Sequence, residues 1–163
     1  MKPRLVIGLG NPLMGDDGIG SVLAERLAAD PRLPPDTEVF IAGTDLLRCT
    51  AHLEGRTQVV ILDAIESPQP AWGLSHAPQH AHHLSLIDSV RLLHLLTPAP
   101  VTILAIAIES ARAEPALSPG LEARVPQLLD QLLAELARLP LGHDDDLHLL
   151  GDVHDLLHQV PEK

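Results

Sequence analysis

Short runs of apolar residues without polar alternation, set apart by segments of helical period, govern what this chain can fold into. Val59-Val60-Ile61-Leu62 is continuous, Arg4 to Gly8 is a second such run, and Val101 to Ile108 a third. A strand that shows no polar face is one covered on both sides, the condition of a central strand in a parallel sheet. Between these runs the period changes. From Asp17 to Asp30, Ile19, Val22, Leu23 and Leu27 fall on one helical face with Pro31 as a stop. Strands alternating with helices predict an α/β, three-layer sandwich: a mainly parallel, twisted sheet flanked by helices on both faces.

The remaining segments extend the pattern. Thr37 to Ile41 reads as a strand ending at Gly43-Thr44-Asp45, with a helical stretch from Leu46 to Leu53. Gln58 to Ile65 is the third strand, with Asp63 at its end. Glu66 to Gln79 holds three prolines and reads as loop, with a short edge strand around Ala71 to Ser75. Leu84 to Leu96 returns to helix, and Pro119 to Leu139 carries a stripe of Leu121, Val125, Leu128, Leu129, Leu132 and Leu136. Residues 1–141 are expected to form one domain. Residues 142–163 are rich in Asp and His and read as an acidic tail, a short helix or a mobile terminus.

Composition narrows the partners. The formal charge of −11 sets up a field that repels phosphate backbones, and no basic patch interleaved with aromatics offsets it, so nucleic acid is not an expected partner. Phe40 and Trp72 are the only aromatics, so the core has to be aliphatic. Cys49 stands alone, which rules out an internal disulfide and a thiolate-rich metal site and suits a reducing compartment. No apolar run approaches the ~20 residues that span a bilayer. These features lead us to expect a cytoplasmic protein, not inserted in a membrane.

Candidate chemistry gathers where a parallel sheet places ligands, outside the carboxyl ends of its strands. Asp16 and Asp17 follow the glycine-rich turn after the first strand, Asp63 ends the third, and His76, His80, His82 and His83 lie in the following loop. Asp16 also fits an N-cap of the first helix, a role worth ~1 kcal/mol, and Asp17 also fits the favourable end of a helix dipole. Asp63 has no such alternative, because an acid after Val-Val-Ile-Leu gives the strand nothing. Carboxylate oxygens with an imidazole nitrogen suit a borderline cation such as nickel or zinc. A dinucleotide fingerprint fails at its third glycine, where Leu13 stands, and the carboxylates that follow would repel a pyrophosphate. No Gly-x-Ser-x-Gly elbow is present, and Cys49 lies in an apolar segment that assigns it to the core.

The motif Gly8-x-Gly10-Asn11-x-Leu13-x-x-Asp16-Asp17-Gly18-x-Gly20, with Gly43-Thr44, Leu62-Asp63-Ala64 and His82-x-Leu84-x-Leu86, resembles the [NiFe]-hydrogenase maturation endopeptidases over roughly Leu5 to Leu139. The resemblance implies an endopeptidase that removes the C-terminal extension of a hydrogenase large-subunit precursor after nickel insertion. It further implies Asp17, Asp63 and His82 as nickel ligands, with Asp16 or Asp17 as an alternative general base, and an aspartic-type classification. The nickel implied is the one the precursor brings, with zinc or cadmium as substitutes in vitro, and the enzyme is expected to be a monomer. The segment between Asp63 and His82 is shorter than the family pattern. Two other readings compete: a non-enzymatic nickel-binding chaperone, for which the His-rich tail would be the relevant feature, and peptidyl-tRNA hydrolase, which shares the Gly-Leu-Gly-Asn-Pro opening but needs a basic RNA-binding surface.

Overall fold

Four parallel strands and one antiparallel edge strand form a single sheet in the order β2-β1-β3-β5-β4 in the computed structural model of the protein, which describes residues 1–67, 74–76 and 84–141. The strands are β1 (Arg4–Leu9), β2 (Thr37–Gly43), β3 (Gln58–Glu66), β4 (Leu74–His76) and β5 (Val101–Ile108). Among the described residues, three α-helices accompany them: α1 (Ile19–Ala29), α2 (Leu84–Leu96) and α3 (Pro119–Arg138). Short 3-10 segments run over Pro12–Gly18 and Leu46–His52.

The expected continuity of the strands has a simple structural outcome: neighbouring residues serve opposite layers. Val6, Val60, Leu62, Leu104 and Ile106 pack under α1 and α3, with Leu23, Leu27, Leu128 and Leu132. Leu5, Ile7, Val59, Ile61 and Ile103 pack on the other face, with Leu46, Cys49, Val90 and Leu93. A strand with two buried faces cannot alternate with polar residues, and these do not. On α3 the buried set is Leu121, Val125, Leu128, Leu132 and Leu136, each contributing about 1.5–3 kcal/mol by removal from water. Leu129 is only partly buried against that cluster.

The end of the sheet away from the site is tied by polar contacts. Arg4 is 3% exposed, and its guanidinium donates to the Gln58 side chain and to the Leu139 carbonyl at 3.0 Å, while Gln58 donates to the Pro140 carbonyl at 3.1 Å. The C-terminus of α3 is thereby fastened under the first residues of β1 and β3.

Two expectations need correction. The first helix does not begin at Asp17: Pro12–Gly18 is a kinked 3-10 segment, with Met14 and Gly15 outside helical geometry, and α1 starts at Ile19 with Gly18 as its N-cap. Asp63 does not end its strand either, since β3 continues to Glu66. Of the edge strand expected around Ala71 to Ser75, residues 71–73 lie outside the described residues; β4 runs over Leu74–His76 and pairs antiparallel with β5. Trp72 and the tail from residue 142 lie outside the described residues. No helix among the described residues is long and apolar enough to cross a membrane.

Candidate active site

The turn after β1 is shaped by its glycines. Gly10 has φ +125°, a backbone state that side chains rarely adopt, and a Cβ there would overlap the Asp17 carbonyl. Its N–H donates to the Gly43 carbonyl at 2.8 Å, fastening the turn to the end of β2. Asn11 caps the 3-10 segment by accepting the Leu13 N–H at 3.0 Å, and Pro12 follows where its missing N–H costs nothing. Chain direction then reverses, and α1 descends with Gly20 against the carbonyls of Leu9 and Leu62, which a Cβ would overlap. Ser21 Oγ donates to the Gly10 carbonyl at 2.8 Å and closes the loop on its own helix.

This geometry sets Asp17 beside β3. Asp17 Oδ2 accepts the Asn11 N–H at 3.0 Å, which orients the carboxylate within the turn. On β3 the pairing with β1 runs only as far as Gly8 opposite Leu62, whereas the pairing with β5 continues through Asp63, opposite Ala105. Asp63 is thus the first residue of β3 beyond the last β1 partner. The sheet order reverses between β1 and β3, since β2 lies to one side and β5 to the other, and that is the switch point where an open α/β sheet leaves a crevice. The expectation that Asp63 stands at a strand terminus fails in the letter, but the strand's overhang puts it at the same crevice.

Asp63 is half-buried, and Oδ1 accepts the Ala64 N–H at 2.8 Å. Its carboxyl is pushed up to about 7, chiefly by burial; the Ala64 hydrogen bond opposes the rise and the negative charge of Asp17 adds to it. Asp17 and Asp63, 46 positions apart in the chain, therefore share one electrostatic environment. His82, His80 and His83 lie outside the described residues. Among those described, no group of three His, Cys, Asp or Glu side chains converges.

Asp16 has a different partner from the one its sequence position suggests. It does not cap α1. Its Oδ1 accepts the Ser118 N–H at 2.7 Å and its Oδ2 accepts the Ser118 hydroxyl at 2.9 Å, linking the turn to the start of α3. A cleft of about 190 Å³ adjoins this contact, lined by Asp16, Glu109, Ser110, Arg112, Glu114 and Ser118 among others. Sequence reasoning passed over the 109–118 loop. Its one local signal is Ser118-Pro119, an N-cap followed by proline at the first helical position.

Cys49 is buried in the 3-10 segment, and burial foremost pushes its thiol up to about 11. The thiolate needed for nucleophilic work is therefore scarce at neutral pH. The folded protein is expected to resist alkylation at pH 8 and to react once unfolded in urea; rapid labelling of the native form would contradict the core assignment.

Fold and site together define a doubly wound α/β protein with an acid pair at its switch-point crevice. No family model matches the chain. It is 30% identical over 146 residues to the hydrogenase 2 maturation protease of Escherichia coli K12, covering 81% of this chain and 89% of that one. The structure matches the hydrogenase maturating endopeptidase HybD from E. coli with a TM-score of 0.68 at 28% identity, covering 85% and 93% of the two chains. It also matches the [NiFe] hydrogenase maturation protease HybD from Thermococcus kodakarensis, with a TM-score of 0.66 at 27% identity over 84% and 99%. The chain belongs to the hydrogenase maturation protease family. It is a hydrolase of peptide bonds, and the chaperone and peptidyl-tRNA hydrolase readings fall away.

Proposed function

We propose that this protease removes the C-terminal extension of a [NiFe]-hydrogenase large-subunit precursor, and that it recognises the nickel already held by that precursor through Asp17, Asp63 and His82. The observation that carries the reading is the acid pair at the crevice. Burial and a neighbouring negative charge both penalise ionised Asp63, and a divalent ion between the two carboxylates would offset both costs at once. A mixed set of carboxylate oxygens and one imidazole fits nickel, with zinc or cadmium as stand-ins. The ion belongs to the substrate in this reading and not to the resting enzyme.

The chain's own part in the reaction is binding and proton control. Asn11 holds Asp17 in orientation through its backbone N–H, and the Ala64 N–H does the same for Asp63. With its carboxyl at about 7, Asp63 retains a share of protons at neutral pH, and the proton must leave before the carboxylate can act as a donor. When bound, the metal supplies Lewis acidity, polarising a peptide carbonyl or lowering the pKa of a water. The aspartic character of the enzyme rests on the same two side chains. We place the reaction in the cytoplasm, carried out by a monomer, in keeping with the lone buried Cys49.

The test is incubation of the protein with a large-subunit precursor, nickel-loaded or metal-free. A shortened product from the loaded precursor alone is the expected result. Equal cleavage of the metal-free form would remove nickel recognition from the proposal, and an intact loaded precursor would overturn the substrate assignment.

A further inference from the structure

Asp16 and Asp17 are adjacent in sequence yet are held from opposite directions. Asp17 is gripped from within its own turn by the Asn11 N–H. Both carboxylate oxygens of Asp16 point across to Ser118, 102 positions away, at 2.7 Å and 2.9 Å. Ser118 is also the N-cap of α3, with its hydroxyl accepting the Leu121 N–H at 3.4 Å. Two backbone bonds reinforce the link. Gly15 N–H donates to the Glu114 carbonyl at 2.7 Å, and Arg112 N–H donates to the Met14 carbonyl at 3.3 Å.

These contacts join the acid-bearing turn to the loop between β5 and α3. Short hydrogen bonds to an ionised carboxylate are about twice as strong as neutral ones. Turning Asp16 toward the crevice would break two of them and leave the Ser118 N–H and hydroxyl without their acceptor. We infer that Asp16 is a positioning residue: through Ser118 it braces the turn against the β5–α3 loop and so sets the aim of the Asp17 carboxylate, serving neither as a metal donor nor as a general base. The inference rests on the reading of Asp17 and Asp63 as metal donors.

The decisive comparison is between two changes at one position. Asp16→Asn keeps an oxygen for the Ser118 N–H and offers an amide N–H to the Ser118 hydroxyl, so the brace survives without its charge. Asp16→Ala removes the brace, and Ser118→Ala removes half of it while leaving every carboxylate in place. Nickel(II) alone is titrated calorimetrically into each full-length variant at a temperature where melting curves show it folded, and precursor processing is measured alongside. Lost stability by itself does not change the affinity of a folded site, so affinity separates aim from folding.

Asp16→Asn is expected to bind nickel(II) within about threefold of the unaltered protein. Asp16→Ala and Ser118→Ala should each bind about tenfold more weakly, with the double change Asp16→Ala/Ser118→Ala no weaker than Asp16→Ala, because both members of one contact are lost. Asp17→Asn and Asp63→Asn serve as references that lose binding. Loss of nickel by Asp16→Asn as complete as that of Asp17→Asn would make Asp16 a donor and overturn the inference. So would unaltered affinity in both Asp16→Ala and Ser118→Ala, or normal nickel affinity with abolished processing in Asp16→Asn, the signature of a base. Normal binding by both reference variants would instead overturn the metal site itself.

Discussion

Asparagine in place of Asp63 is expected to abolish precursor processing and at the same time to stabilise the metal-free protein at neutral pH. The loss of function follows from removing an anionic donor. Even residues that only support metal ligands cost 10–100-fold when changed, so a loss of more than about 100-fold is expected for a ligand itself. The gain in stability follows from linkage. In the folded protein the Asp63 carboxyl titrates at about 7, and in the unfolded chain near its ordinary 3.8. Between these values the native state holds a proton that the unfolded state has lost, so stability falls as pH rises from about 4 to about 7 and stays low above. The full gap corresponds to about 4 kcal/mol, and relaxation around a half-buried group brings the expected effect to about 2–3 kcal/mol. Urea melts of both proteins at pH 4.5 and pH 8 check it. The variant should exceed the parent clearly at pH 8 and by only about a quarter of that margin at pH 4.5; no difference at either pH would mean that Asp63 is an ordinary surface acid.

Gly20→Ala carries the other large effect, and here two physical terms of opposite sign compete. Alanine is the better helix former, by about 0.8–1.0 kcal/mol. Its methyl group, however, would overlap the carbonyl oxygens of Leu9 and Leu62, which are backbone atoms of two buried strands and have no rotamer by which to withdraw. Overpacking of this kind typically costs 1–3 kcal/mol, and contact with fixed backbone puts it at the upper end. A net loss of about 2 kcal/mol or more is expected from denaturant unfolding at neutral pH, with weaker nickel binding because α1 carries the acid turn. A variant as stable as the parent would show that the helix can lift off these two strands freely.

Much of the architecture was legible in the residues. The bounds expected for α2 and β5 coincide with those observed, because Pro98 and Pro100 punctuate that stretch and the apolar period changes abruptly across it. The start of the first helix was misplaced. Periodicity from Ile19 onward is helical, but Met14 and Gly15 leave helical geometry, and the glycines that permit this are visible as residues without revealing the path they take. The place of Asp63 beside the crevice was legible but its mid-strand position was not, since the stagger between β1 and β3 depends on where β1 stops pairing. The Asp16 to Ser118 contact was not legible at all. It joins residues 102 positions apart through a loop with no periodic pattern. Choosing His82 among neighbouring histidines rests on the family resemblance.

The alternation of β3 between two layers has a consequence for how such a chain can diverge. Substitution of one aliphatic residue for another within Val59–Leu62 leaves each layer with its own occupants. Deleting or inserting a single residue there would exchange the occupants of the two layers along the rest of the strand, and would shift the carboxylate by about 3.3 Å along it. Length changes are therefore confined to the connections between elements, and the frame of this strand is a fixed ruler for the distance between its buried anchor at Gln58 and Asp63 further along it.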